Sequence, residues 1–153
     1  MVNRWLKQLR EAADLARNSI ADKRKSYIGA VIAERNKIIG SGVNSNDPHP
    51  AMQKHYPWYS GVHAEAAALI DATRERGDVR GCDLFVTRVY RTGEIASTSK
   101  PCKYCMALIA LFGIRRVFYV DDGEICVAIV NGGRGVEEFG SADLIAEKPK
   151  KQG

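Results

Sequence analysis

No apolar run in this 153-residue chain reaches the roughly 20 residues that a bilayer-spanning helix needs. Met1-Val2-Asn3-Arg4-Trp5-Leu6 also lacks the apolar core and cleavage site of a secretory signal. A soluble, cytoplasmic protein without membrane contact is therefore expected. No internal repeat marks a solenoid. Proline is scarce, five residues in all, and three of them fall between Asn44 and Val62. Cysteine is scarce too. Four cysteines would suggest disulfides in a small secreted domain, but in a cytosolic protein they suggest metal or redox chemistry. Cys82 and Cys126 stand alone and read as buried core thiols. A surplus of acid is absent: the formal net charge is +5 and the pI about 9.1. Much of the basic excess lies in Lys23-Arg24-Lys25 and Lys148-Pro149-Lys150-Lys151, which read as solvated ends rather than a polyanion-binding face.

What is present is enough apolar sequence, 45%, to fill one domain core. That domain is expected over residues 1–148, with 149–153 a disordered basic tail. Near residues 3–21, Trp5, Leu9, Ala12, Ala13 and Ala16 recur at helical spacing between charges and predict an amphipathic helix. Tyr27 to Ala33 and Lys37 to Val43 are apolar, β-rich runs on either side of Glu34-Arg35-Asn36, the pattern of a hairpin. Asn44 to Val62 is too irregular for a regular element and reads as a long loop. From His63 to about Arg76 an alanine-rich helix ends at Gly77. Asp83 to Tyr90 is a strand, and Arg91 to Lys100 a loop. Pro101 sits where a helix from about Cys102 to Phe112 begins, with Ser97, Thr98 and Ser99 as candidate caps. Arg116 to Asp121 is a further strand, followed by a short helix around Ile125 to Val130. This order predicts an α/β fold, a three-layer α/β/α sandwich with a mixed, about five-stranded sheet.

The chemistry concentrates in two short elements, His63-Ala64-Glu65 and Pro101-Cys102-Lys103-Tyr104-Cys105. Two thiolates and one imidazole can hold Zn2+ while leaving its fourth tetrahedral position for water, the arrangement of a catalytic site. Both elements open helices, where unpaired amides and the peptide dipoles favour thiolates. Glu65, two residues from His63, is then placed to carry protons. The motif H-x-E followed by P-C-x-x-C is that of zinc nucleobase deaminases.

On these residues the chain resembles the cytidine deaminase superfamily, and within it the deoxycytidylate-type deaminases. The likeness covers roughly Ile28 to Asp122, and its matching stretches are Val62-His63-Ala64-Glu65 and Ser99-Lys100-Pro101-Cys102-Lys103-Tyr104-Cys105 leading to Gly113-Ile114-Arg115-Arg116-Val117-Phe118-Tyr119. The resemblance implies His63, Cys102 and Cys105 as zinc ligands and Glu65 as proton shuttle. It also implies a small-molecule cytosine nucleotide as substrate, dCMP before others, and a homo-oligomer. Asn44 matches a sugar-contacting asparagine. The candidate substrate-binding set is Asn44, His55, Tyr59, Ala64, Ser99, Lys100 and Pro101. His55, Tyr56, Trp58 and Tyr59 form a candidate aromatic lid. Lys54, Arg88, Arg91 and Lys100 are candidates for a phosphate clamp. The family's last strand is not evident, because Gly132-Gly133-Arg134-Gly135 interrupts the region after Asp121.

Other readings remain open at this point. A fourth protein ligand, His49 or His55, would make the zinc structural and the chain a non-catalytic binding module. The C-x-x-C alone would suit a thioredoxin-like redox pair. Asn44 can simply bond to the local backbone at the end of its strand. The basic surplus and aromatic loop would suit a deaminase of cytosine or adenine within RNA or single-stranded DNA.

Overall fold

The computed structural model describes residues 2–20, 26–45, 50, 54, 62–130 and 136–139. Helix α1 spans Val2–Asn18, and its apolar stripe of Leu6, Leu9, Ala12, Ala13 and Ala16 is buried. Strands β1 (Ser26–Glu34) and β2 (Lys37–Val43) form the expected hairpin. Arg35 and Asn36 turn it with positive φ angles of 53° and 81°. Helix α2 (Ala64–Arg76) stops at Gly77, whose φ of 102° lets its amide bond back to the Thr73 carbonyl. Strand β3 (Asp83–Tyr90), helix α3 (Lys103–Leu111) and strand β4 (Arg116–Asp121) follow as expected.

The sheet order is β2-β1-β3-β4-β5-β6, with β5 at Glu124–Ile129 and a short edge strand β6 at Val136–Phe139. Among the described residues, β3 and β4 alone run parallel and the other neighbouring strands pair antiparallel. A mixed sheet of five long strands and one short edge strand is thus enclosed by α1 on one face and by α2 and α3 on the other. Strand β1 shows the division: Tyr27, Val31 and Ala33 join the cluster with α1, whereas Ala30 and Ile32 join that with α2 and α3.

The helix expected around Ile125 to Val130 is instead the strand β5, paired antiparallel with β4 from Asp121↔Glu124 to Arg116↔Ile129. Asp122 and Gly123, with φ of 51° and 78°, form the tight turn between them. An Asp-Gly pair between apolar runs is a strong hairpin signal, and Ile125, Val127 and Ile129 are β-branched. The fifth strand therefore forms ahead of the glycine run. The basic tail at 149–153 lies outside the described residues.

Helix α2 approaches the sheet closely because β2 presents no side chain at two positions. A Cβ on Gly42 would lie 2.5 Å from the Ala68 amide nitrogen, and one on Gly40 would lie 2.5 Å from the Ala72 methyl. This contact sets the height of α2, and with it Glu65, over the sheet. Gly42→Val is expected to destabilise the fold by about 1–3 kcal/mol through overpacking. Urea unfolding checks this, with a lower midpoint at unchanged slope as the expected result.

Candidate metal and catalytic site

His63 is the N-cap of α2, in extended geometry with ψ 154°, and its imidazole makes no capping bond. Cys102 is the N-cap of α3, and its Sγ accepts from the Cys105 amide at 3.5 Å. The capping group is thus a sulfur and not one of the hydroxyls of Ser97, Thr98 or Ser99. Pro101 precedes the cap instead of opening the first turn. The Thr98 hydroxyl lies 3.4 Å from an Asp121 carboxylate oxygen. Ser99 Oγ donates to the Val86 carbonyl at 2.8 Å and accepts from the Val120 amide at 2.9 Å, so it stitches β3 to β4.

These caps bring the three candidate ligands together. His63 Nδ1 lies 3.2 Å from Cys105 Sγ and 3.8 Å from Cys102 Sγ, and all three ligand atoms fall within 4.8 Å of one another. Tetrahedral zinc with bonds of about 2.0–2.1 Å to nitrogen and about 2.3 Å to sulfur separates such atoms by roughly 3.6 Å. The donor set fits that ion. Burial lowers the His63 pKa and so favours the neutral imidazole that ligates metals. Burial also pushes the Cys105 thiol up, reinforced by Glu65 and Cys102. Burial and its neighbours thus favour the protonated thiol at Cys105 in the metal-free protein, although it lies in the first turn of a helix; a divalent ion would remove that proton.

Glu65 is buried in the first turn of α2. Desolvation raises its pKa to about 7, opposed by a bond to its own backbone. Its Oε1 is buried with no hydrogen-bond partner among the described residues. Most buried polar atoms are satisfied, so an orphaned carboxylate oxygen beside three metal-type ligands marks a place for a reactant.

A pocket of about 170 Å³ connects these groups, lined by Ile28, His63, Glu65, Arg88, Thr98, Ser99, Lys100 and Cys102. Of the phosphate-clamp candidates it gathers Arg88 and Lys100. Lys54 and Arg91 are exposed and are not among its lining residues. Arg88 Nε is buried and has no partner among the described residues. Asn44 Oδ1 accepts from the Ile28 amide at 3.0 Å, which realises the strand-end role and fixes the orientation of the side chain. Ala64 and Pro101 are buried beside the ligands without lining the pocket. His49 and the candidate lid residues His55, Tyr56, Trp58 and Tyr59 lie outside the described residues. Ile28 and Thr98 are lining residues that the sequence reading missed, since β1 and the β3–α3 connection meet there only in the fold. Cys82 and Cys126 are buried, as expected of core thiols.

Residues 3–121 match the family model described as the cytidine and deoxycytidylate deaminase zinc-binding region, and the chain belongs to that family of zinc-dependent deaminases. It is similar to an uncharacterized deaminase in the luxG 3′ region of Aliivibrio fischeri, at 28% identity over 129 residues, covering 81% of this chain and 78% of the relative. It is also similar to the deoxycytidylate deaminase of Mycobacterium phage D29, at 32% identity over 117 residues, covering 65% of this chain and 81% of the relative. The cytidine deaminase of Mycobacterium leprae shares the fold, with a TM-score of 0.52 at 19% identity over 88% of this chain and 92% of that one. Among the described residues no helix is long and apolar enough to cross a membrane.

Proposed function

We propose that this chain, acting as one domain over residues 1–148, hydrolytically deaminates a cytosine nucleotide, with dCMP to dUMP the favoured reaction. The observation that carries the reading is Glu65: a buried carboxylate, one oxygen of which has no partner among the described residues, beside His63, Cys102 and Cys105. His63 Nδ1 and the two thiolates would hold Zn2+. The ion, when bound, supplies a Lewis acid that makes water acidic enough to be a nucleophile near neutral pH. Glu65 takes the first proton from the attacking water and gives it to the ring nitrogen. It then takes the second from the hydroxyl now on the ring carbon and gives it to the amino group as the C–N bond breaks and the carbonyl forms. One water is consumed and one ammonia leaves. The N-cap position of His63 aims the imidazole and the carboxylate two residues on into one pocket.

Arg88 and Lys100 support a phosphorylated substrate over a free nucleoside, since both line the same pocket as Glu65. With its oxygen turned to Ile28, Asn44 would meet the sugar through its amino group. Leu111, 65% exposed, and the exposed Tyr104 on α3 favour a homo-oligomer. Ammonia release from free cytosine and adenine nucleosides and nucleotides, with short oligonucleotides alongside, tests the reading. Turnover confined to oligonucleotides and steeply lost with salt would replace it with a polynucleotide deaminase.

Arg88→Gln is expected to raise KM for dCMP about tenfold or more, the size of one lost charge-assisted hydrogen bond, and to leave deoxycytidine turnover unchanged. Equal effects on both substrates would remove Arg88 from phosphate recognition.

A further inference from the structure

At the opposite end of the sheet from the zinc-type cluster lies a larger cavity of about 500 Å³. It sits where β1 ends and where β3 and β4 begin, whereas the catalytic pocket takes Ile28 from the start of β1 and Arg88 near the end of β3. Its charge is unbalanced. The two carboxylates in its wall are already matched: Glu34 Oε2 by Arg76 at 2.7 Å, and Asp83 by Arg116 in a two-bond pair at 2.9 and 2.7 Å. Arg35, Arg80 and Arg115 are the remaining charged residues of the lining, and none has an ion-pair partner among the described residues.

A second observation is independent of that charge. Gln8 of α1 also lines the cavity and is only 3% exposed. Its Nε2 donates to the Asn36 carbonyl at 2.9 Å, which fixes the amide orientation, and its Oε1 is then buried with no partner among the described residues. The same bond holds the β1–β2 turn, where Arg35 adopts a φ of 53°. Positive φ at both Arg35 and Asn36 is what a two-residue hairpin turn requires, and it places Arg35 at the rim of the cavity. The guanidinium of Arg116 is likewise fixed, by Asp83 and by the rings of Trp5 and Phe118 at 5.7 and 5.3 Å.

We propose that this cavity is a second ligand site, separate from the deaminase pocket, for a small phosphorylated molecule carrying a hydroxyl or N–H donor. The phosphate lies among Arg35, Arg80 and Arg115, and the donor satisfies Gln8 Oε1. The volume suits a molecule of sugar-phosphate to nucleotide size.

Ribose 5-phosphate is the probe, titrated calorimetrically into the zinc-loaded full chain with inorganic phosphate as the comparison. Ribose 5-phosphate is expected to bind more tightly than phosphate. Arg80→Gln with Arg115→Gln should weaken it at least about tenfold while leaving turnover without the probe unchanged. Gln8→Met should lower the affinity for ribose 5-phosphate towards that for phosphate. Arg88→Gln should leave binding intact, which separates this site from the catalytic pocket and from the fate of the proposed function. Absence of millimolar binding, full affinity in the double arginine variant, or loss of binding in Arg88→Gln would each overturn the proposal. So would arginine-dependent retention of a single-stranded oligonucleotide without any binding of ribose 5-phosphate. Should Gln8→Met not fold, the arginine variants still decide the question.

Discussion

Glu65→Gln is expected to cut ammonia release by about 10²–10⁴-fold with zinc content and fold retained, since the amide fills the same volume but cannot exchange a proton. The measurement is turnover on dCMP beside metal analysis of the same sample. Unchanged turnover would take Glu65 out of the reaction. The substitution has a second, opposite consequence in metal-free protein. Burial lifts the Glu65 pKa from 4.5 to about 7, so the folded state disfavours the charged form that the unfolded chain accepts. The sign follows from linkage: this carboxyl weighs least on stability below its unfolded pKa. Its cost grows as pH rises and levels off above the folded pKa, at about 3 kcal/mol for a shift of this size. Metal-free Glu65→Gln should therefore melt higher than metal-free wild type at pH 8, with the gap closing towards pH 5. A constant gap across that range would contradict the desolvated carboxyl.

The other large effect belongs to the thiols. Cys102→Ala and Cys105→Ala are each expected to abolish stoichiometric zinc and activity together, because two remaining protein ligands cannot hold the ion tightly. Chelation of the wild type should do the same and lower its melting temperature. A ligand held at a thousandfold above its dissociation constant contributes about 4 kcal/mol to the folded state. The two variants should differ in the metal-free state. Cys102 is exposed and caps α3 with its sulfur, whereas Cys105 is buried in the core cluster under α2 and α3. Metal-free Cys105→Ala should thus lose core packing, while metal-free Cys102→Ala should loosen only the first turn of α3. Full zinc occupancy in either variant, read by elemental analysis, would contradict the ligand assignment.

Strong periodicity and terminators made most of the fold legible. Trp5 to Ala16 marked α1, the alanine run ending at Gly77 marked α2, and the apolar runs at Leu84 and Val117 marked β3 and β4. Ile125 to Val130 is ambiguous by pattern, because a short apolar run fits a buried helix or a buried strand equally well, and the Asp122-Gly123 turn decides for the strand. Three hydroxyls just before Pro101 suggest a cap for α3, but only the positions of Val86, Val120 and Asp121 show where those of Thr98 and Ser99 go.

By itself the sequence determined the chemistry: a histidine and two cysteines at two helix starts, with a carboxylate two residues from the histidine, because ligand type and short-range spacing are local properties of the chain. Tertiary structure alone decided what surrounds that chemistry. It left Glu65 Oε1 unpaired among the described residues, drew Arg88 rather than Arg91 into the pocket, turned Asn44 towards Ile28, and placed Arg35, Arg80 and Arg115 in the wall of the same cavity as Gln8 at the far end of the sheet. Burial and long-range proximity arise only when distant strands pair and helices cover them, and no local pattern encodes which charges will then be desolvated or left without a partner.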